Sequence, residues 1–260
     1  MLNVAIPHNT KFMPIAAVGA VPQPVTPARS GIACGSCCLQ EVCLPCGLPA
    51  ANVGELDQLA TLKRRVARGA ALYRSGDALD ALYAVRSGAF KTVSVSRGGV
   101  EKITGFHLPG ELMGLEAIST ERHNYDAVAL EDSEVCVIPF ARLQALALRI
   151  PELQRQLFRL LSRDITRDQG LMLLLGSMTA EQRLAAFLLS LSRRYQRLGY
   201  AGDCFNLRMT REDIGNYLGL TMETVSRLMS RFQREGLIAA QHREIEFKNP
   251  GGLMELVGQW

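Results

Sequence analysis

Cysteine placement constrains this chain more than any other feature. Three thiols stand as Cys34-x2-Cys37-x5-Cys43, and a fourth, Cys136, follows 93 positions after Cys43. Five of the seven cysteines fall between Cys34 and Cys46. A secreted disulfide framework pairs an even number of thiols and spreads them over a small scaffold. An odd, crowded set points instead to a reducing cytosol and to a metal or redox site. On spacing alone, a structural zinc, an iron–sulfur cluster and a disulfide sensor all stay open. Cys38 directly follows one candidate ligand and Cys46 lies just past Pro45; both read as bystanders, and Cys204 as a structural residue in a linker.

At 260 residues the chain has room for two small domains, each with a core. No apolar run reaches the roughly 18 residues of a membrane span. A net charge of +4 permits nucleic-acid binding without requiring it, so local clustering must decide. Residues 1–33 hold five of the eleven prolines and few charges, which predicts a disordered tail. Residues 11–21 faintly resemble a signal peptide, but Pro14 interrupts them and no basic segment precedes them.

Beyond the cysteines, leucines at 56, 59 and 62 predict a short helix over 54–62. Residues 65–140 then change character. β-prone stretches at 82–85, 90–95, 102–106 and 135–138 alternate with glycines every eight to twelve residues, the pattern of an antiparallel roll or jelly roll. Pro151 opens a helical pattern lasting to about 176. Its apolar seam runs Phe158, Leu161, Ile165, Met172, Leu175, with Asp168 standing where another apolar residue is expected. Spacings of three and four, opposite a polar face of Arg159, Ser162, Arg163, Thr166 and Arg167, predict a parallel two-helix dimer seam. A further amphipathic helix follows over 180–195.

The last domain reads as a helix-turn-helix. Thr210 caps a first helix with acids in its first turn, Gly219 makes the turn, and Thr221 caps a second helix ended by Gly236. Residues 237–248 suggest a hairpin wing. On the second helix Val225, Leu228, Met229 and Phe232 share one face, while Glu223, Ser226, Arg227 and Ser230 share the other. Such a helix enters the major groove. Arg227 suits guanine O6 and N7, Glu223 suits cytosine N4, and Ser226 either kind of base. Arg208, Arg211 and Arg231, with Arg234 and Arg243, are candidates for phosphate contacts, which position without reading sequence.

With these residues in place, the chain resembles the FNR branch (fumarate and nitrate reduction regulators) of the cyclic-AMP-receptor-like transcription factors. The likeness runs from about Cys34 to Lys248. It is carried by Ile103-Thr-Gly-Phe-His-Leu-Pro-Gly110, Cys136-x-Ile-Pro-Phe140, Asp213-Ile-Gly-Asn-Tyr-Leu-Gly-Leu220 and Glu223-Thr-Val-Ser-Arg227. It implies an α+β fold: a cyclic-nucleotide-binding-like antiparallel β-roll, a long dimerisation helix and a C-terminal winged helix-turn-helix. The matching division is a tail over 1–33, a cluster-binding segment and sensory roll over 34–148, and the dimerisation helix over 149–178. The DNA-binding domain then covers 179–248 and a tail 249–260. The resemblance further implies an oxygen-labile [4Fe-4S] cluster on Cys34, Cys37, Cys43 and Cys136. It implies a cluster-loaded homodimer on a TTGAT-type palindrome that contacts RNA polymerase, with the turn over 96–102 as one contact. The product is a cytoplasmic regulator activating or repressing genes of anaerobic metabolism.

Cyclic-nucleotide binders of this superfamily carry Arg-Ser or Arg-Thr after a Gly-Glu-Leu turn. Here Gly110-Glu-Leu112 is followed by Arg122-His-Asn-Tyr-Asp126, with no hydroxyl partner and an added carboxylate, so no cyclic nucleotide is expected. His107 and Glu111 read as a strand-end histidine and a turn carboxylate, and no acid/base pair suggests an enzyme. The alternative is a cluster-free regulator answering a cyclic nucleotide or a haem-bound gas. Two Asp168 carboxylates about 6 Å apart across a dimer axis would repel by roughly 3 kcal/mol at an effective dielectric of about 20. That is about a hundredfold in association. Such a dimer forms only when something else favours the seam, unless Arg163 or Arg167 neutralises Asp168.

Overall fold

The computed structural model describes residues 33–60, 62–96 and 98–258. The tail expected over 1–33 lies outside them but for Ala33, as does Arg97 of the turn over 96–102. Residues 34–48 form a tight loop of successive turns that leads into α1 (Ala50–Leu59), entered directly from Pro49. Eight strands follow: β1 (Leu62–Val66), β2 (Ala71–Tyr73), β3 (Ala81–Ser87), β4 (Phe90–Val95), β5 (Glu101–His107), β6 (Leu112–Met113), β7 (Asp126–Ala129) and β8 (Ser133–Pro139). They build two antiparallel four-stranded sheets, ordered β1-β8-β3-β6 and β2-β7-β4-β5. Val66, Leu72, Val85, Phe90, Met113 and Val135 fill the space within the roll.

Strand side chains alternate, so if Val135 enters the roll, Cys136 leaves it. Cys136 accordingly packs in a second core on the outer face of the first sheet. There Leu44 of the cysteine loop, Leu56 of α1, Leu82 and Ile138 meet Leu143 of α2 (Phe140–Arg149) and Leu153 and Leu160 of α3 (Pro151–Ser177). Pro151 forces its predecessor Ile150 into extended backbone, which ends α2, and then sits at the first helical position of α3, where its missing N–H costs nothing. At 27 residues α3 spans about 40 Å.

Beyond an extended link at Met178 and Thr179 comes α4 (Ala180–Arg197), opened by a reciprocal Thr179–Gln182 capping box. Then follow β9 (Cys204–Asn206), α5 (Arg211–Leu218), α6 (Met222–Arg234), β10 (Ile238–Gln241), β11 (Glu244–Phe247) and α7 (Pro250–Val257). A third core joins this domain to the roll. It runs from Leu184, Leu188, Ile214, Val225 and Phe232 to Val93, Ile103, Phe106 and Leu108.

Several expectations need correction. The helix expected over 54–62 begins four residues earlier, and Leu62 already belongs to β1. The four expected strands are present, β4 with the expected bounds and the other three longer, but β1, β2, β6, β7 and the whole of α2 were not anticipated. β1 reads Leu-Lys-Arg-Arg-Val, a polar run that hides its strand character. The segment 249–260, expected as a tail, carries α7, whose Leu253 is fully buried. Cys204, expected in a linker, lies exposed on β9, its thiol donating to Glu244 at 3.3 Å. The polar face expected on α3 is not all solvated: Arg167 turns inward to Asp164 (2.5 Å) and Glu111 (3.8 Å). Among the described residues no helix is long and apolar enough to cross a membrane.

His107, at the end of β5, is buried, and its Nδ1 finds no hydrogen-bond partner among the described residues. Burial, reinforced by Arg167, pulls its imidazole from the ordinary 6.5 down to about 3. The folded protein therefore keeps it neutral while the unfolded chain protonates below pH 6.5. Its contribution to stability is complete above that value and is lost as pH falls toward 3, by up to about 1.4 kcal/mol per pH unit. His107→Gln is expected to flatten the acid limb of denaturant-unfolding stability between pH 6.5 and 4. An unchanged limb would assign that slope to other groups.

Candidate cluster site and nucleic-acid interface

Cys34, Cys37, Cys43 and Cys136 all line one small cavity, together with Leu39, Leu44, Leu56, Ala84, Arg86 and Ile138. Two segments far apart in sequence thus present four thiols to one space. Cys136 is fixed in the middle of β8, paired with Lys63 of β1 on one side and Ala84 of β3 on the other. The loop has no sheet to hold it and relies on single contacts. The Cys34 N–H donates to the Asp57 carboxylate of α1, and the buried Gln156 of α3 donates through Nε2 to the Cys43 carbonyl at 3.1 Å. Cys38 is exposed, and neither it nor Cys46 lines the cavity.

Burial, with a hydrogen bond to Asp57, pushes the Cys34 thiol up to about 12, and burial, joined by the neighbouring Cys136, Cys37 and Cys46 and opposed by the Leu44 N–H, pushes Cys43 up to about 12. Cys136 is raised by burial as well, against the opposing pull of Arg86 and Lys63. Thiols in such a place ionise only for a cation that takes the proton's position. Among the described residues no group of three or more Cys, His, Asp or Glu is gathered closely enough for a single metal ion. Four thiols lining one apolar cavity are the soft donor set that iron–sulfur clusters take. The donor set therefore fits an iron–sulfur cluster, with Arg86 and Lys63 placed to offset thiolate charge.

The reader is α5, a turn, and α6. Thr210 and Asp213 form a reciprocal capping box, and the Thr221 hydroxyl accepts from the Thr224 N–H at 3.2 Å. Gly219 sits in the left-handed region at φ 66°. The sequence reading missed Gly215: a Cβ there would stand 2.7 Å from the Leu220 carbonyl oxygen, so the turn closes directly over it. Val225, Leu228, Met229 and Phe232 are buried, while Glu223 and Arg227 are exposed and Ser226 is half-buried on the other face. The wing is β10–β11, with β9 as its third strand.

Arginines expected at phosphates are differently employed. Arg208 is bound to Glu131 of the roll at 2.8 Å; Arg231 meets Glu235 at 2.7 Å and Glu181 at 3.0 Å; Arg211 is half-buried at the start of α5. Lys102, in the turn expected to meet polymerase, donates instead to the Asn216 carbonyl of α5. On α3, Phe158, Ile165, Asp168 and Met172 are exposed, whereas Leu161 and Leu175 are half-buried. Arg167, a candidate to neutralise Asp168, is committed to Asp164 and Glu111. Glu111 is also held by Arg194 at 2.6 Å. Burial would raise its carboxyl, but Arg194 and Arg167 outweigh that and draw it down to about 2.

In the segment 122–126, His123 is buried and stacks on Tyr73 with centroids 3.7 Å apart, and its Nδ1 meets Glu116 at 3.1 Å. Arg122 donates to the Gly76 carbonyl at 2.7 Å. Asp126 accepts from the Ser75 N–H at 2.7 Å and faces Arg74 at 3.5 Å.

Comparison with known proteins agrees with this geometry. Residues 63–149 match the cyclic nucleotide-binding domain family and residues 182–256 the Crp-like helix-turn-helix domain family. The transcriptional regulatory protein btr of Bordetella pertussis is 53% identical over 226 residues, 87% of this chain and 93% of its own length. The fumarate and nitrate reduction regulatory protein of Escherichia coli is 44% identical over 227 residues, 87% of this chain and 91% of its own. The solved structure of FixK2 from Bradyrhizobium japonicum superposes with a TM-score of 0.70 at 31% identity, covering 76% of this chain and 98% of that one.

The contact over Gly215 is backbone on backbone, so a side chain there cannot be accommodated by a rotamer change. Gly215→Val is expected to destabilise the C-terminal domain by about 1–3 kcal/mol, the usual range for overpacking. Chemical denaturation followed by circular dichroism measures it, and a variant as stable as the parent would show that the turn can open.

Proposed function

This chain belongs to the fumarate-and-nitrate-reduction branch of the cyclic-AMP-receptor-like transcription regulators, and from that membership we propose that an oxygen-labile [4Fe-4S] cluster governs its dimerisation and operator binding. DNA-binding transcription regulation comes with the family. The finer reading is carried by one observation: four thiols from two distant segments share a cavity whose walls also include the packing partners of α3.

When bound, the cluster supplies an inorganic core that oxygen can dismantle. Cys34, Cys37, Cys43 and Cys136 would hold it. The chain's own residues carry the consequence outward. Gln156 ties the Cys43 carbonyl to α3, and Leu44 shares a core with Leu153 and Leu160. A loop fixed by its thiols thus fixes the first half of α3. That half and its continuation offer Phe158, Leu161, Ile165, Met172 and Leu175 to a second copy, with Asp168 opposing close approach. A loop set free gives up those contacts, and the Asp168 repulsion then separates the subunits. A monomer reads a single half-site, so affinity for a palindromic TTGAT-type operator collapses.

At the operator, Arg227, Glu223 and Ser226 read base edges, while Arg211, Arg231 and Arg208 serve phosphates, the last on release from Glu131. Polymerase meets the exposed tip of the β4–β5 turn around Val100. We take the roll to hold no cyclic nucleotide, because the ring stack of His123 on Tyr73 and the engaged Arg122 and Asp126 leave that segment self-satisfied. Genes of anaerobic metabolism, activated or repressed, are the targets this chemistry serves.

Two outcomes test the reading. Cys136→Ser is expected to lose both the visible absorbance near 400 nm and anaerobic operator binding; keeping both would remove Cys136 from the ligand set. Asp168→Ala is expected to sediment as a dimer in air, with a gain of about a hundredfold in association if a repulsion of roughly 3 kcal/mol is relieved. A variant still monomeric in air would end the seam argument.

A further inference from the structure

The reading domain is clamped to the roll of its own protomer at five polar points. Arg194 of α4 binds both Glu111 oxygens at 2.8 and 2.6 Å and donates to the Phe106 carbonyl at 2.7 Å. Arg208 meets Glu131 at 2.8 Å. Lys91 of β4 donates to the Asp213 carboxylate of α5 at 2.7 Å. Asn216 of α5 makes the fourth through its side chain, and its backbone carbonyl, accepting from Lys102 of β5, makes the fifth. Its Oδ1 accepts from the Ile103 N–H at 2.7 Å, and its Nδ2 donates to the Glu101 carbonyl at 3.0 Å. Phe106, Phe187 and Tyr217 close the apolar side, with centroids 5.1 to 5.9 Å apart.

The Asn216 contact has a chemistry of its own. β5 is the last strand of its sheet, so its outward N–H and C=O groups have no strand to pair with. A side-chain amide carries one acceptor and two donors at fixed separation and can complete one rung of that open edge. The Lys91–Asp213 pair lies mostly out of solvent, with side chains 23% and 11% exposed, so salt screens it less than a surface pair. Burial would raise the Asp213 carboxyl, yet hydrogen bonds from Lys91 and Thr210 hold it below the usual value.

These ties decide an angle. The turn over Gly215 fixes α6 to α5, so the seat of α5 on the roll determines where α6 points. Only Met178 and Thr179 separate α3 from α4 along the chain. A dimeric reader needs its two recognition helices about one helical turn of DNA apart, roughly 34 Å. A reader free to swing on a two-residue link would meet that spacing only part of the time, and apparent affinity falls by that fraction.

We propose that Asn216 and Lys91 are positioning residues for operator binding, holding α5 at one angle on β4 and β5 and so setting the half-site spacing that the dimer accepts. The proposal rests on dimeric operator reading. Neither residue needs to touch DNA. Asn216 lies inside α5, where alanine is the better helix former, so Asn216→Ala removes the side-chain tie, keeps the Lys102 contact to the backbone carbonyl and spares the helix. Asp213 also serves the capping box and is unsuitable as a probe.

The test uses the full chain isolated without air and three duplexes: the palindrome, the same half-sites one base pair further apart, and a single half-site. Asn216→Ala and Lys91→Met are each expected to bind the palindrome about tenfold more weakly than the parent while staying within about twofold on the single half-site. Their preference for the native spacing over the widened one shrinks accordingly. Two results would overturn the proposal: a spacing preference equal to the parent's, or half-site binding that falls in step with the palindrome, which would make the contact part of the reader's fold. A parent protein blind to all three duplexes would bring down the operator-reading premise itself.

Discussion

The cysteine loop over 34–48 has only turns to shape it, so its position depends on what it packs against. Leu44 enters the core shared by α1, the first sheet, α2 and the first half of α3, and the Gln156 amide takes the Cys43 carbonyl. The Cys43 carbonyl also accepts from the Cys46 N–H, but Gln156 is buried, and losing this contact would strand its amide. In the proposed switch, a change at the thiols would reach α3 because both belong to one core.

α3 then has two jobs on two faces. Leu153, Gln156 and Leu160 face the protomer's own core, while Phe158, Ile165 and Met172 are 57–67% exposed. An isolated stripe of that kind asks for cover, and a second copy of the same helix supplies it symmetrically. In the proposed switch, Asp168 would keep this seam from being permanently favourable, where a leucine would add only hydrophobic burial. Arg167, the nearest cation in sequence, is turned inward and paired with Asp164 and Glu111, though its charge is also felt by Asp168.

Much of this was legible in the sequence where the signal is local. Thr210, Gly219 and Thr221 announce caps and a turn because capping chemistry is written in two or three adjacent residues, and α6 followed to within a residue or two. Cys34, Cys37 and Cys43 could be grouped by spacing, but their meeting with Cys136 came from family resemblance, since no local pattern brings β8 back to the loop. What escaped was tertiary in origin. β1 is strand only because β8 pairs with it, and α2 is short and flanked by prolines. Gly215 looks like an ordinary helical glycine until the Leu220 carbonyl is seen above it. Asn216 looks like a polar surface residue until the open edge of β5 is placed beside it.

The same distinction explains the arginines. A cation near a predicted reading face invites assignment to phosphate, yet Arg208 and Arg231 each meet a carboxylate within the protomer, as Arg194 and Arg167 do away from that face. A net charge of only +4 is consistent with a protein that spends much of its basic surface internally. Not all these pairs are alike. Arg231 and Glu235 are open to water, where an ion pair is weak and a phosphate can displace the acid, while Glu181 is mostly covered. Arg194 is mostly buried and answers Glu111 with two hydrogen bonds and Phe106 with a third, so it belongs to the clamp and not to the operator. Arg208 lies between these cases, at the joint between roll and reader. Transferring it from Glu131 to a phosphate would loosen one of the ties between roll and reader. If Arg208 serves a phosphate as proposed, phosphate binding and reader orientation would be linked through a single guanidinium, and the ties at Asn216 and Lys91 would keep the reader seated when that guanidinium is drawn away.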